Sequence, residues 1–505
     1  MLLPDKTIQG VLSKTVLPFC LIAIAAVAAG AVTMLGVDTG WRLALALTVA
    51  YALPMAIYNR RSWSTATGHY VLLATWLLMA AISIENVMVW TAPEGATAEW
   101  PFFESDSRGY YAWALHYYDG RCDAPPVAFP GLPFMMLVLW ELFGVNVVWP
   151  VAMNVCFTLM AIVIAAWTTV RLLHGRQQAR PDRWLGNAAL VCGMLLFFLL
   201  SESTCILKEA AVALSMSAVG LVLAVFVTDR HLQAKHYAAF VAACLLLAFT
   251  RTTYMYFVLL ALGIIALGNI KTHVPHTVLL VVLALIAFIA GDSVAYYSFE
   301  RHVSIISGGE RMQRLFMVGQ SQQPYLDMVG NYFTYPIWRR LLLLPLSCSV
   351  QFIIPFPWIY EGWTTLHEAT ARCGFGWYAV GGTALFYYVA MSWRRRYWLG
   401  TWAWVPAIIF ATIAYVTAGS VSRYVLPVEV MFIPVTVWVL SVISGDGGLR
   451  RLFIVWAIVF IIALAVTLAV CYDIQVRYLN DLSEYYKERA AHYRDSINSI
   501  HDSLP

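Results

Sequence analysis

Long stretches of this chain carry almost no charge. Runs with at most one charged residue begin near Thr15, Leu43, Thr65, Leu142, Trp184, Ala210, His236, Thr252, Thr272, Cys373, Tyr397, Tyr424 and Leu452. Each can supply the roughly 20 apolar residues that a helix needs to cross a bilayer, so the pattern predicts about 13 crossings. A membrane β-barrel would instead show short alternating segments, and none stands out between these runs. The expected fold is an all-α polytopic membrane protein. The stretches 124–143 and 341–360 are ambiguous: the first is short and rich in proline, and the second is broken by Pro345, Pro355 and Pro357. Either can lie in the interface or re-enter without crossing.

The charges between the runs set an expected orientation. With both ambiguous stretches left non-spanning and the N-terminus in the cytoplasm, Arg60-Arg61, Arg171/Arg176/Arg180/Arg183, Arg230/Lys235, Arg394-Arg395-Arg396 and Arg450-Arg451 all fall inside. Most acids fall on the other side, although they played no part in the assignment. Longer polar segments then face outward: Thr91 to Asp123, Ser201 to Glu209, Phe299 to Arg340, Glu361 to Arg372, and the tail from Asp473. The resulting divisions are 1–92, three transmembrane helices; 93–130, an acidic loop with an interfacial helix; 131–296, a transmembrane core; 297–374, an outer loop and re-entrant or interfacial region; 375–472, C-terminal transmembrane helices; and 473–505, an amphipathic tail.

Composition agrees with the pattern. Of 505 residues, 61% are hydrophobic and 12% charged, about half the charged fraction of a soluble domain. The net charge of +4 sits in short loops and forms no stripe or tail, which argues against nucleic-acid binding. The nine cysteines show no metal or redox spacing. Cys122 and Cys373 are both expected outside and can pair only if the fold brings them together. The first apolar segment is longer than the core of a signal peptide and is expected to be retained. No G-x-x-x-x-G-K-[ST] occurs, so ATP-driven transport by this chain alone is not expected.

The densest candidate chemistry lies between Trp100 and Gly120. Asp106 or Ser107 is placed to cap a helix whose Tyr110, Trp113, Tyr117 and Tyr118 suit a bilayer boundary. Glu104 and Asp106 at its start can act as a general base just above the membrane, or simply cap and solubilise the loop. Arg251, Arg423 and Lys208 stand at outer helix ends, where they can grip a phosphate or snorkel to head groups. Glu85-Asn86 and Glu429 enter apolar runs and are expected to face a polar cavity or a buried cation. The segment from Tyr296 to Tyr335, with Gly308-Gly309 as a hinge, can be a lid or a passive loop. His367-Glu368 alone does not make a metal site.

Several short motifs share one order and one face. An outer-loop acid precedes Tyr110-Tyr111-Ala-Trp113-Ala, followed by Phe129-Pro130-Gly131-Leu132-Pro133, Leu142-Phe143-Gly144-Val145-Asn146 and Asn154. Later come Ala248-Phe-Thr-Arg251-Thr-Thr-Tyr254 and Gly419-Ser-Val-Ser-Arg423-Tyr424-Val-Leu-Pro427. Together these resemble the polyprenol-dependent glycosyltransferases of the GT-C superfamily, most closely family 39 and the aminoarabinose transferases. The chain departs from that pattern at Glu104-Ser105-Asp106, where relatives carry adjacent acids, and at Thr252, where they carry proline.

The resemblance implies a polyprenyl-phosphate sugar donor and a glycan, lipid or protein acceptor at the outer face of a bacterial cytoplasmic (inner) membrane. It implies Asp106 or Glu104 as catalytic base, Arg423, Arg251 and Lys208 toward the phosphate, and Tyr424, Tyr110 and Trp113 toward the sugar or lipid groove. No cofactor is implied; a divalent metal is compatible but not indicated. A polysaccharide polymerase or ligase of the Wzy type, and a secondary transporter or flippase, are the alternatives. The transporter is disfavoured because no paired broken helices are legible at mid-depth. The GT-C expectation is geometric: the acid-bearing helix, Arg251 and Arg423 should meet around one outward cleft.

Overall fold

The computed structural model describes residues 6–91, 105–120, 130–176, 179–229, 232–269, 274–294, 335–351, 365–374, 381–392, 399–417, 424–459, 461–462, 465–466 and 469. These residues are helices and their connections, with no strand among them. Five helical stretches are long and apolar enough to cross a membrane: Val16–Leu35, Val37–Asn59, Ala66–Val89, Val148–Leu173 and Glu209–Asp229. The protein is therefore an all-α, membrane-embedded bundle. Outward faces such as Leu17, Phe19, Leu21 and Ile22 on the first helix remain exposed, as expected where lipid and not water covers apolar side chains.

In chain order the helices are α1 (Lys6–Leu35), α2 (Val37–Asn59), α3 (Ala66–Thr91), α4 (Ser105–Tyr118), α5 (Gly131–Phe143), α6 (Val148–Leu173), α7 (Asp182–Met194), α8 (Phe197–Glu202), α9 (Glu209–Asp229), α10 (Ala234–Arg251), α11 (Tyr254–Asn269) and α12 (Val274–Val294). They continue as α13 (Ile337–Gln351), α14 (Leu366–Cys373), α15 (Thr383–Ser392), α16 (Trp404–Thr417), α17 (Leu426–Glu429) and α18 (Ile433–Gly445). Residues 447–459 form a further helix. The centre of the bundle is α6 against α9, flanked by α2, α7 and α10. Small residues along α9, among them Ala210, Ala211, Ala213 and Gly220, are buried and let its neighbours approach closely.

The basic loops gather at one end. Arg61 lies 3.3 Å over the Trp167 ring, and Arg171 pairs with Asp229 at the C-terminus of α9. Arg176 donates to Leu399 O at 3.2 Å, and Arg180 to Ser444 Oγ at 2.9 Å. These contacts join the ends of α2, α6, α9 and α18. Glu209 lies at the other end of α9, whose 21 residues extend about 30 Å, the thickness of the hydrocarbon.

Interruptions in the helices shape that second end. The α1–α2 link is a single residue, Gly36, whose φ of 79° is accessible to glycine without strain. The α10–α11 hairpin turns through Thr252 and Thr253 alone, leaving Arg251 at its tip. Gly131, where α5 starts, packs so tightly on Phe249 and Thr250 that a Cβ would lie 2.6 Å from the Phe249 carbonyl. The other end of α5 leads within a short turn into α6, whose Asn154 reaches the same region, so α5 lies along this end of the bundle.

Two expectations require correction. The apolar run beginning near Trp184 is broken: α7 stops at Met194 and α8 begins at Phe197. Gly193 faces Ile162, which lies well inside α6, so the break falls within the bundle. The run beginning near Tyr424 is likewise divided into α17 and α18. Unbroken apolarity masked both breaks in the sequence.

Candidate functional site at the N-terminus of α9

A buried polar cluster surrounds the start of α9. Lys208 donates from Nζ to the Tyr110 hydroxyl at 2.6 Å, with both residues buried. The next residue, Glu209, accepts from Arg251 at 3.1 Å; their side chains are 0% and 6% exposed. The Arg251 guanidinium lies 4.1 Å over the Tyr424 ring and 5.3 Å from that of Tyr254. The Tyr254 hydroxyl donates to the Tyr424 carbonyl. α4, α9, the α10–α11 tip and the segment before α17 therefore meet through one continuous run of polar contacts.

The segment from Ser203 to Lys208 turns instead of continuing α8, so its backbone polar groups need partners. Neighbouring helices supply them. Asn154 on α6 donates to Cys205 O at 2.7 Å and Leu207 O at 2.8 Å. Asn86 on α3 donates to Thr204 Oγ1 at 2.9 Å, and Thr158 to Ser203 Oγ at 2.7 Å. Ser201 Oγ donates to His367 O at 3.1 Å. This frame fixes where Lys208 and Glu209 emerge.

α14 covers the frame from outside. Glu85 accepts the first backbone N–H groups of α14, from Leu366 at 2.9 Å and His367 at 3.0 Å, while Thr365 caps Glu368 N at 3.1 Å. A carboxylate at a helix start satisfies orphan donors and meets the positive end of the dipole. The partner of Glu85 is thus a helix terminus and not the buried cation anticipated. Burial pushes the His367 imidazole down to about 4, only partly countered by Glu368, so His367 is neutral near pH 7.

Several anticipated roles change. Lys208 and Arg251 do not snorkel to lipid head groups; both turn inward and are buried. Arg251 has Glu209 at 3.1 Å, which cancels most of its field at a distance. One face of Tyr424 is taken by Arg251 and is closed to a sugar. Trp113 packs on Tyr117, with ring centres 4.1 Å apart, and on Phe134, which ties α4 to α5. α4 begins at Ser105, so Asp106 and Ser107 lie inside its first turn.

Glu104, Arg423, Cys122, residues 296–334 of the anticipated lid and the tail 473–505 lie outside the described residues, as does the Asp106 side chain. Glu429 is buried in α17, which packs on α9. Cys373 is a free thiol. Among the described residues no group of three His, Cys, Asp or Glu side chains is placed to hold a metal.

Sequence reasoning missed Glu209 and the framing role of Asn86 and Asn154. The signal was present in the Lys208-Glu209 dipeptide at the mouth of an apolar run, where an acid requires a partner. Comparisons with models of protein families, with curated proteins and with solved structures give no match for this chain.

Proposed function

We propose that this protein is a GT-C-type membrane glycosyltransferase that moves a sugar from a polyprenyl-phosphate carrier to an extracytoplasmic acceptor. The observation carrying this reading is the junction of α4 with Lys208, Glu209, Arg251 and Tyr424 at the end of α9 remote from the basic loops. By the positive-inside rule that end faces outward, in a chain of about 13 crossings in a bacterial cytoplasmic membrane. The location suits a reaction between a lipid head group and a water-borne acceptor.

In this reading Asp106 or Glu104, at the start of α4, takes the proton of the acceptor hydroxyl. The acceptor oxygen attacks the sugar C1, the bond to the lipid phosphate breaks, and a single displacement inverts the anomeric centre. Lys208 and Arg423 stabilise charge on the departing phosphate. Arg251, locked by Glu209 and Tyr424, orients the surrounding wall, and Tyr110 holds Lys208 in place. Fixed donors are effective here because they need no reorganisation during the reaction.

The test is transfer from a radiolabelled polyprenyl-phosphate sugar in membranes. Asp106→Asn should fold normally and lose transfer, with Glu104→Gln assayed beside it to assign the base. Full transfer by both variants removes the proposed carboxylate chemistry.

The break between α7 and α8 favours a second reading, a transporter, since interrupted helices form substrate sites in that class. Against it, the charged cluster stands at the end of α9 and not at mid-depth. Substrate flux into proteoliposomes without sugar transfer would establish transport instead.

A further inference from the structure

Arg340, on the first turn of α13, is 6% exposed, yet among the described residues no carboxylate or carbonyl accepts from its guanidinium. Its Nε has no hydrogen-bond partner, and its guanidinium carbon lies 5.3 Å from the Tyr415 ring on α16. A permanently charged side chain in such surroundings is costly unless an anion joins it. Arg251, the other buried guanidinium at this end of the bundle, has its carboxylate.

The local geometry suits an anion. α13 is 15 residues long and has no acid in its first turn. The N–H groups of Arg339 and Arg340 turn back to the Pro336 carbonyl, at 2.9 Å and 3.2 Å, and the helix dipole presents its positive end here. Arg339 adds a second cation, exposed and stacked 3.8 Å over Tyr335. The flanks identify the carrier of the anion. Ile337, Trp338, Leu341 and Leu342 are all more than half exposed, Trp338 at 63%. Such an apolar, tryptophan-bearing surface is wetted by acyl chains and not by water.

We propose that Arg340 and the N-terminus of α13 form a binding site for the phosphate of a membrane lipid, entered sideways from the bilayer. The phosphate accepts two parallel N–H bonds from the guanidinium while the acyl or prenyl chains lie along the exposed face of α13. The assignment stands apart from sugar transfer and holds for a lipid that is substrate, product or resident.

Thermal shift on the full-length protein in neutral detergent tests it, with dioleoyl phosphatidic acid, dioleoylglycerol and inorganic phosphate as probes. Phosphatidic acid should stabilise saturably; dioleoylglycerol should not; inorganic phosphate should act only at far higher concentration. Arg340→Gln should weaken phosphatidic acid binding by about tenfold or more and melt no lower than the parent when lipid is absent, with Arg340→Lys intermediate in affinity. Unchanged phosphatidic acid affinity in Arg340→Gln overturns the site. Melting of that variant well below the lipid-free parent assigns Arg340 a structural role instead. Inorganic phosphate matching the lipid in affinity overturns the lipid as carrier.

Discussion

Arg251 and Glu209 meet 3.1 Å apart with almost no solvent contact, joining the tip of the α10–α11 hairpin to the start of α9. Removing either partner leaves the other charge buried without its counter-charge, at a cost of about 3–5 kcal/mol, whereas removing both with apolar residues of similar size is far milder. Arg251→Met and Glu209→Gln should each depress the melting temperature strongly, and the double variant Arg251→Met/Glu209→Leu should recover most of the loss. Strictly additive losses in thermal unfolding would mean that the two charges do not stabilise each other.

The hydrogen bond from Lys208 to Tyr110 links α4 to the start of α9 and fixes the position of the ammonium. Tyr110→Phe deletes the acceptor and keeps the ring. A stability loss of about 1–3 kcal/mol is expected from the acceptor lost to a buried charge. If Lys208 serves the leaving phosphate, the same variant should lower transfer through weakened donor use, and Lys208→Met should lower it further. Transfer equal to the parent in both variants would detach this pair from the proposed reaction.

Asn154 should be sensitive to isosteric change. Its amide nitrogen donates to two backbone carbonyls, so Asn154→Asp places a carboxylate against oxygen lone pairs while conserving shape. Asn154→Leu leaves both carbonyls without that donor. Either change should cost about 1–3 kcal/mol per unmet group. Protease sensitivity should rise between Ser201 and Lys208, and a digestion pattern identical to the parent's would show that the turn is held by other contacts.

How much of this was legible beforehand depended on whether a signal was local. Long apolar runs directly encode helices such as α6 and α9, because a single segment satisfies its own backbone and needs only lipid or apolar neighbours around it. The break at Leu195-Leu196 was invisible, since Leu, Phe and Met serve equally well in continuous and interrupted helices. Lys208, Arg251 and Tyr110 were selected one by one from their positions at helix ends. What the chain could not disclose was that Arg251 is committed to Glu209, because the pairing depends on how two hairpins are brought together in space. Arg340 escaped notice for the same reason: in the sequence it is one more cation after a polar loop, and only its burial beside Tyr415 gives it meaning.

His367 makes the docking of α14 dependent on pH. Burial holds its folded-state value at about 4, below the ordinary value of 6.5, with Glu368 opposing the shift. Where the folded value is depressed, the undocked form binds more protons between the two values, so stability falls as pH drops from about 6.5 toward 4. At pH 5 the loss relative to neutral pH should approach about 2 kcal/mol, if the undocked imidazole titrates normally. Glu85 holds the start of the same helix, accepting the Leu366 and His367 N–H groups, so Glu85→Gln should weaken docking at every pH without changing the slope. Hydrogen exchange over residues 365–374 at pH 7 and pH 5 reads both effects. Exchange there should accelerate at the lower pH beyond the intrinsic chemical rate, and His367→Gln should abolish that acceleration. A pH response that persists in His367→Gln would place the titrating group elsewhere.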